Sequence, residues 1–162
     1  MIDNSGITQC SLRTWRLTRS LFGDFQQAFC SFDGGWHRFL AESSVDDSDA
    51  IAGQWDQPGL VLRDQHGGEL WLSGCASGYT GEGAAGAGYI LRCEGFKPHQ
   101  IDLISLCGRL HLRKSQSDPV VAEIRRESRK GRGTVSAEPK WSAHIESLVA
   151  SGYFRDVDSN GL

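Results

Sequence analysis

The alternation of apolar and polar positions predicts a β-hairpin near the middle of the chain. Residues 59–64 and 69–73 are two short apolar runs, and residues 65–68 between them end in two adjacent glycines. Two β-forming runs on either side of a glycine turn are typical of an antiparallel hairpin. We therefore expect this hairpin to lie at the centre of the sheet.

The pattern before the hairpin predicts one strand and one helix. Residues 7–19 alternate loosely and contain several β-forming side chains, which predicts a first strand. In residues 21–32, apolar side chains recur three and four positions apart, which predicts a short amphipathic helix that ends at two glycines. Residues 36–40 form another apolar segment, and the acidic residues 41–48 are expected to form an exposed loop.

The pattern after the hairpin predicts a helix, two strands and a further short helix. Residues 84–94 have helical spacing, and the glycine and proline that follow them are typical of a helix end. Residues 100–106 and 109–113 are predicted strands, and arginine and histidine alternate with leucine in the second, so one face of that strand should be solvated. Residues 120–126 are a predicted short helix.

A glycine-rich segment, residues 74–88, follows the hairpin and is the main candidate for ligand binding. Six glycines fall within these 15 residues, and residues 81–86 fit the pattern G-x-G-x-x-G. A strand, a glycine loop and a helix start can present N–H groups to an anion. On this interpretation the chain is a nucleotide- or phosphate-binding protein, and an enzymatic activity remains an open alternative. Its ligand-binding residues would be Gly78, Gly81, Glu82, Gly83, Gly86 and Arg92.

Two known phosphate-binding motifs are disfavoured in this segment. Asp102 lies about 20 positions beyond the glycines, as in dinucleotide-binding units, but at the start of the next predicted strand instead of its end. No Lys-Ser or Lys-Thr pair follows Gly86, so the cation of a P-loop is missing. Arg92, Lys97 or Arg113 would then have to neutralise a phosphate. The alternative interpretation is a turn whose glycines let a helix approach the sheet.

The C-terminal part of the chain is predicted to be a separate tail. We expect a globular domain over residues 1–124, a basic glycine-containing linker over residues 125–133, and a tail over residues 134–162. A predicted helix at residues 141–150 carries an apolar stripe, which must bury itself in the chain's own core, against a second copy, or against a partner. The candidate partner-binding residues are Trp141, Ile145, Leu148, Tyr153 and Phe154.

Residues 134–154 resemble the ribbon-helix-helix antitoxins of the ParD type. Thr134-Val-Ser is similar to the strand of that family, and residues 145–153 are similar to its first helix and Ser-Gly turn. In that family the strand pairs across a dimer and reads DNA, and later residues hold a toxin. The resemblance implies an antitoxin-like protein that forms a dimer and binds a protein partner.

Composition and charge exclude several classes of protein. The chain has 162 residues, 39 % hydrophobic content and a net charge of −3, which fits one domain without a global nucleic-acid footprint. A local basic run leaves nucleic-acid contact as a further alternative. Its members are Arg125, Arg126, Arg129, Lys130 and Arg132. The start of the chain has no signal-peptide pattern, and no apolar run is long enough for a membrane helix, so a cytoplasmic protein is expected.

No set of side chains in the sequence has the spacing of a catalytic or metal site. The five cysteines are widely spaced without a C-x-x-C pair, so we expect them to be reduced and mostly buried. The five histidines show no metal-ligand spacing, and no G-x-S-x-G elbow is present. We therefore expect no catalytic residue, metal or cofactor.

These patterns together favour an α+β fold and a binding function. The predicted fold is an antiparallel or mixed sheet of about five strands with two or three helices, plus a C-terminal helical tail. The predicted function is that of a non-catalytic, immunity- or antitoxin-like protein, which captures a protein partner through aromatic and apolar side chains. An exposed tryptophan such as Trp55 is another candidate for that surface. The predicted core residues are Trp15, Phe25, Phe29, Trp36, Phe39, Leu62, Trp71, Ile90, Leu103 and Leu106.

Overall fold

A single mixed sheet of five strands organises the protein in the computed structural model, which describes residues 1–32, 59–130 and 140–159. The strands are β1 (Ile2–Asp3), β2 (Phe25–Ser31), β3 (Gly59–Asp64), β4 (Glu69–Leu72) and β5 (Arg109–Arg113). Their order is β1-β4-β3-β2-β5, and β1 pairs with β4 in parallel while the other pairs are antiparallel. The predicted α+β fold with a five-stranded mixed sheet is confirmed.

Six α-helices lie within the described residues, where two or three and a C-terminal helical tail were expected. They are α1 (Thr8–Thr18), α2 (Glu82–Cys93), α3 (Pro98–Ile101), α4 (Asp118–Arg129), α5 (Trp141–Ala150) and α6 (Arg155–Ser159). A short 3₁₀ turn, Arg19–Leu21, follows α1. The predicted hairpin, the strand at β5 and the helices at α2 and α5 are confirmed.

The predicted first strand is wrong, because residues 8–18 form α1. Its buried side chains are Thr8, Ser11, Leu12 and Trp15, which recur three, four and seven positions apart. This is a helical stripe. Two of its four members are polar, so hydrophobicity alone concealed the helical period.

The predicted helix over residues 21–32 is also wrong, because residues 25–31 form β2. This strand pairs with β3 on one side and β5 on the other, and Phe25, Ala28, Phe29 and Cys30 are all buried. A central strand that is buried on both faces reads as a nearly continuous apolar run without alternation. An irregular register between Phe25 and Gln27 shifts the pattern further.

Two further segments differ from the predictions. Residues 100–106, expected as a strand, complete α3 and continue as turns in which Leu103 N–H donates to Gln100 O and Ile104 N–H to Ile101 O. Pro98 at the start of α3 favours the first turn of a helix, and a short apolar run fits a buried helical turn as well as a strand. The predicted linker is helical through Arg129, at the end of α4.

Several predictions lie outside the described residues. They concern the glycine stop after residue 32, the apolar segment 36–40, the acidic loop 41–48, the remainder of the linker at residues 131–133, and the side chains Trp36, Phe39 and Trp55.

The main core lies between one face of the sheet and the helices. Leucines of β3 and β4 pack there with α1 and α2, and the predicted core residues Trp15, Phe25, Leu62, Ile90 and Leu103 belong to it. Three other predicted core residues are placed differently. Leu106 is only partly buried, whereas Phe29 and Trp71 pack with Val61 on the opposite face of the sheet.

The opposite face of the sheet carries a row of side chains that crosses four strands. His111, Phe29, Val61 and Trp71 are cross-strand neighbours in consecutive pairs. The rings of His111 and Phe29 stack with their centroids 4.2 Å apart. Arginines and leucines of β5 alternate between exposed and buried positions, which confirms the predicted alternation of this strand.

One carboxylate holds the turn of the β3–β4 hairpin. Asp64 is 7 % exposed and accepts hydrogen bonds from the backbone N–H groups of Gly23 at 2.8 Å, His66 at 2.9 Å and Gly68 at 2.7 Å. These bonds, that from Gly23 first, lower the pKa of Asp64. Gly67 has φ of +87°, which glycine adopts without strain.

Replacement of this carboxylate should reveal its contribution to stability as a function of pH. A lowered pKa in the folded state stabilises the protein above the unfolded pKa of about 3.9, and this stabilisation disappears as the pH falls. We therefore expect Asp64→Asn to lower the free energy of unfolding at pH 7, and the difference from wild type to shrink below about pH 4. Urea denaturation across this range measures it. Glu123→Gln, at an exposed site on α4, is the control, and a pH-independent deficit for Asp64→Asn would contradict the assignment.

Candidate functional site

The glycine-rich segment consists of a loop and the first half of a buried helix. The loop runs to Gly81, where α2 begins, so Gly83, Gly86 and Gly88 are helical residues. All residues from Gly83 to Leu91 are buried. Most of the segment is therefore part of the core instead of a surface open to a ligand.

Two of the glycines allow the start of α1 to lie directly against this segment. A Cβ atom at Gly74 would stand 2.3 Å from the backbone carbonyl of Ile7, and one at Gly86 would stand 2.6 Å from Cγ2 of Thr8. The hydroxyl of Thr8 also donates a 2.7 Å hydrogen bond to the carbonyl of Gly74. A Cβ atom would overlap the backbone of Ile7 at the first position and the Thr8 methyl group at the second, so both glycines are explained by packing.

The absence of a side chain at Gly88 likewise allows α5 to pack closely against α2. A Cβ atom there would stand 2.8 Å from Cγ1 of Ile145 and 3.2 Å from Nε1 of Trp141. The Trp141 indole donates a 3.2 Å hydrogen bond to the carbonyl of Ala84. The apolar stripe of the predicted tail is therefore buried against α2, in the chain's own core.

This packing corrects most of the predicted partner-binding set. Trp141 is 6 % exposed, Ile145 0 % and Phe154 2 %, so these side chains pack within the chain. Phe154 stacks on Tyr89 with a centroid distance of 4.0 Å. Leu148 packs against the core and is partly buried, and Tyr153 is the one exposed side chain of these five, at 43 %.

Neighbouring residues offset the positive charge at the start of α2 and satisfy one of its free N–H groups. Glu82 is an exposed carboxylate in the first turn, where it stabilises the positive end of the helix. The N–H of Gly83 donates to the Tyr79 hydroxyl at 3.1 Å, and the N–H of Ala85 donates to the carbonyl of Gly81 at 2.9 Å. The acidic side chain of Glu82 and the bond from Gly83 therefore make the helix start less suited to an anion.

The structure brings together four of the six predicted ligand-binding residues. Gly78, with φ of +86°, lies in the loop that leads to Gly81, Glu82 and Gly83 at the start of α2. Gly86 is buried one turn further on. Arg92 lies ten residues after Glu82, about 15 Å along the helix, and forms an ion pair with Glu146 of α5.

An exposed aromatic patch lies near the start of α2. It consists of Phe32, Tyr79 and Tyr153, which are 54 %, 36 % and 43 % exposed. The rings of Phe32 and Tyr79 meet edge to face with centroids 5.6 Å apart. Desolvation raises the pKa of Tyr153, and the charge of Glu82, the first residue of α2, raises this pKa further.

The sequence reasoning missed Phe32 and Tyr79 as surface residues. Phe32 directly follows β2, its N–H donates to Gly108 O at 2.9 Å, and its side chain is exposed where the buried run of the strand has ended. Tyr79 stands among small residues in the glycine loop. The sequence did contain a signal for this exposed ring, because a large aromatic residue in a loop of small residues has few neighbouring side chains to bury it.

Two buried thiols near the loop are poor nucleophiles. Burial raises the pKa of Cys30 to about 12 and the pKa of Cys75 well above its ordinary value. A thiol attacks as its thiolate, which these sites disfavour at neutral pH. All five cysteines are free of disulfide bonds, and Cys10 and Cys93 are exposed while the other three are buried.

The basic run is partly neutralised on α4. Arg126 pairs with Glu123 and Lys130 pairs with Glu127, each three residues apart on the helix surface. Exposed pairs of this kind reduce the local positive charge that would attract a nucleic acid. Arg132 lies outside the described residues.

Comparison with protein-family models, with curated proteins and with solved structures gives no match to the chain. The strand of the ribbon-helix-helix resemblance, at residues 134–136, lies outside the described residues, so the resemblance stays a prediction. In the described part of the chain, no cluster of three or more His, Cys, Asp or Glu side chains could hold a metal ion. Within those same residues, no helix has the length and apolar character needed to cross a membrane.

The packing role of the glycines predicts a strong effect of one added methyl group. We expect Gly74→Ala to lower the free energy of unfolding by about 3 kcal/mol or more, because the new Cβ atom would overlap backbone atoms. Gly108→Ala is the matched control, since a Cβ atom there meets no other atom within 4 Å. Its effect should stay within about 0.5 kcal/mol. Urea denaturation of both variants checks the prediction, which fails if the two are equally stable.

Proposed function

We propose that this protein is a non-catalytic binding protein that captures a protein partner through the aromatic patch. The observation that supports this most is the contrast between the patch and the other aromatic side chains. Trp15, Phe25, Tyr89 and Phe96 are between 0 % and 4 % exposed, whereas Phe32 is 54 % exposed at the end of its strand. Exposed aromatic side chains on a rigid framework are frequent hot spots of protein interfaces.

The framework around the patch is well suited to present these rings. Tyr79 is held by its hydrogen bond with Gly83, and Tyr153 is held by edge-to-face contact with the buried ring of Phe154 at 4.9 Å. Such rings lose little conformational entropy on binding, because their positions are set before the partner arrives. Tyrosine hydroxyls at the rim can also exchange hydrogen bonds with a partner.

The chemistry around the patch favours a protein over a phosphate ligand. Glu82 places a negative charge in the first turn of α2, and Gly81 and Gly83 are explained by their close packing against the Tyr79 side chain. The nearest predicted cation on the helix, Arg92, is paired with Glu146. A protein surface with apolar and hydrogen-bonding groups complements this patch better than a phosphate does.

Site-specific crosslinking tests this proposal. A photoreactive phenylalanine at position 32 or 153 should crosslink one and the same protein in cells, and the same group at position 21 should not. Leu21 is 69 % exposed on the 3₁₀ turn, which makes it a matched apolar surface control. With the purified partner, we expect Phe32→Ala and Tyr153→Ala to raise Kd by roughly 30-fold each, the effect of about 2 kcal/mol at a hot spot.

The control variant Leu21→Ala should change this Kd less than about twofold. Equal crosslinking from all three positions, or a Kd that neither patch variant alters, would exclude the patch as the binding surface. Circular dichroism of each variant confirms that the fold is retained.

A further inference from the structure

A second surface, which shares no residue with the aromatic patch, lies between α1 and α6. It is a groove of about 300 Å³ lined by Gln9, Arg13, Arg16, Leu17, Asp156 and Val157. This volume is at the lower end of the range of about 300–1,000 Å³ that is usual for ligand sites. The groove therefore fits a small ligand or one or two residues of a peptide.

The α1 side of this groove is strongly basic within an acidic protein. Residues 4–23 contain three arginines and no acidic side chain, although the net charge of the chain is −3. Arg19 pairs with Glu94, whereas Arg13 and Arg16 form no ion pair with any residue that the structure describes. The two lie three positions apart and so share one face of the helix.

The same groove has an apolar part. Leu17 is 65 % exposed, and Val157 contributes a side chain that is 8 % exposed. A ligand side chain placed between them would remove the surface of Leu17 from water. The groove thus combines two arginines with an apolar surface.

We infer that the groove binds the C-terminal residue of a peptide, with a free carboxylate and an apolar side chain. Arginine binds carboxylates through paired N–H groups, and Arg13 and Arg16 supply two guanidinium groups for one carboxylate. The apolar side chain of the ligand covers Leu17 and Val157. Two guanidinium groups match the single charge of one carboxylate.

The full chain can be titrated with a matched pair of small probes, N-acetyl-leucine and its C-terminal amide. Amide shifts in NMR spectra should change at residues 9–17 and 156–157 with N-acetyl-leucine, with Kd of about 1 mM. The amide probe should bind at least about tenfold more weakly, because it lacks the carboxylate. N-acetylglycine should also bind more weakly, since it lacks the apolar side chain.

Variants assign the binding to individual side chains. We expect Arg13→Gln and Arg16→Gln each to raise Kd for N-acetyl-leucine by about tenfold, and Leu17→Ser to raise it several-fold. Arg126→Gln on α4 and Tyr153→Ala in the aromatic patch are controls that should leave it unchanged. The Tyr153 control also distinguishes the groove from the proposed partner surface, so the experiments can contradict one proposal without contradicting the other.

Three outcomes would overturn the inference. The first is the absence of saturable shifts at α1 and α6, and the second is equal binding of the acid and the amide. The third is stronger binding of inorganic triphosphate than of N-acetyl-leucine, which would identify the arginines as a general anion site.

Discussion

The close approach of three helices at α2 is the constraint on which the rest of the structure depends. The first half of α2 consists of small residues, and α1 and α5 pack against it where Gly86 and Gly88 lack side chains. The second half carries Tyr89, Ile90 and Leu91, which fill the core in the usual way. Side chains of α1 and α5 occupy the space in which Cβ atoms at these two glycines would stand, so both helices pack closely on α2.

A polar network holds the other end of the contact between α1 and α2. Glu94, which directly follows α2, is 7 % exposed and accepts a 2.7 Å hydrogen bond from the Trp15 indole. It also pairs with Arg19, at 2.8 Å. A buried carboxylate is tolerated only when such partners satisfy it, so this network ties the end of α1 to the end of α2.

The packing at α2 decides which side chains remain for function. Because α5 is buried against α2, Trp141 and Ile145 stabilise the fold, and their surface is not offered to a partner. The start of α2 remains at the surface, and the exposed rings of Phe32, Tyr79 and Tyr153 lie near it. The glycines that bring the helices together therefore also determine where the candidate binding surface lies.

Local signals in the sequence were sufficient for some elements and misleading for others. The hairpin at β3–β4, helix α2 and helix α5 each combine a clear period with a glycine at the right place, and these three were predicted correctly. Helix and strand were exchanged at α1 and β2 because the spacing of hydrophobic residues in each segment differs from the spacing of its buried residues. Thr8 and Ser11 are polar but buried, and β2 is buried on both faces.

The sequence by itself determined the α+β class, the central hairpin and the positions of the glycines, because these depend on neighbours along the chain. Only the tertiary structure decided what the glycines do and where the aromatic residues face. In the sequence, a glycine that allows anion binding looks identical to a glycine that allows close helix packing. The two roles are distinguished by the atoms that lie within 3 Å of the position that a Cβ atom would occupy. These atoms come from a distant part of the chain, Ile7 for Gly74 and Ile145 for Gly88.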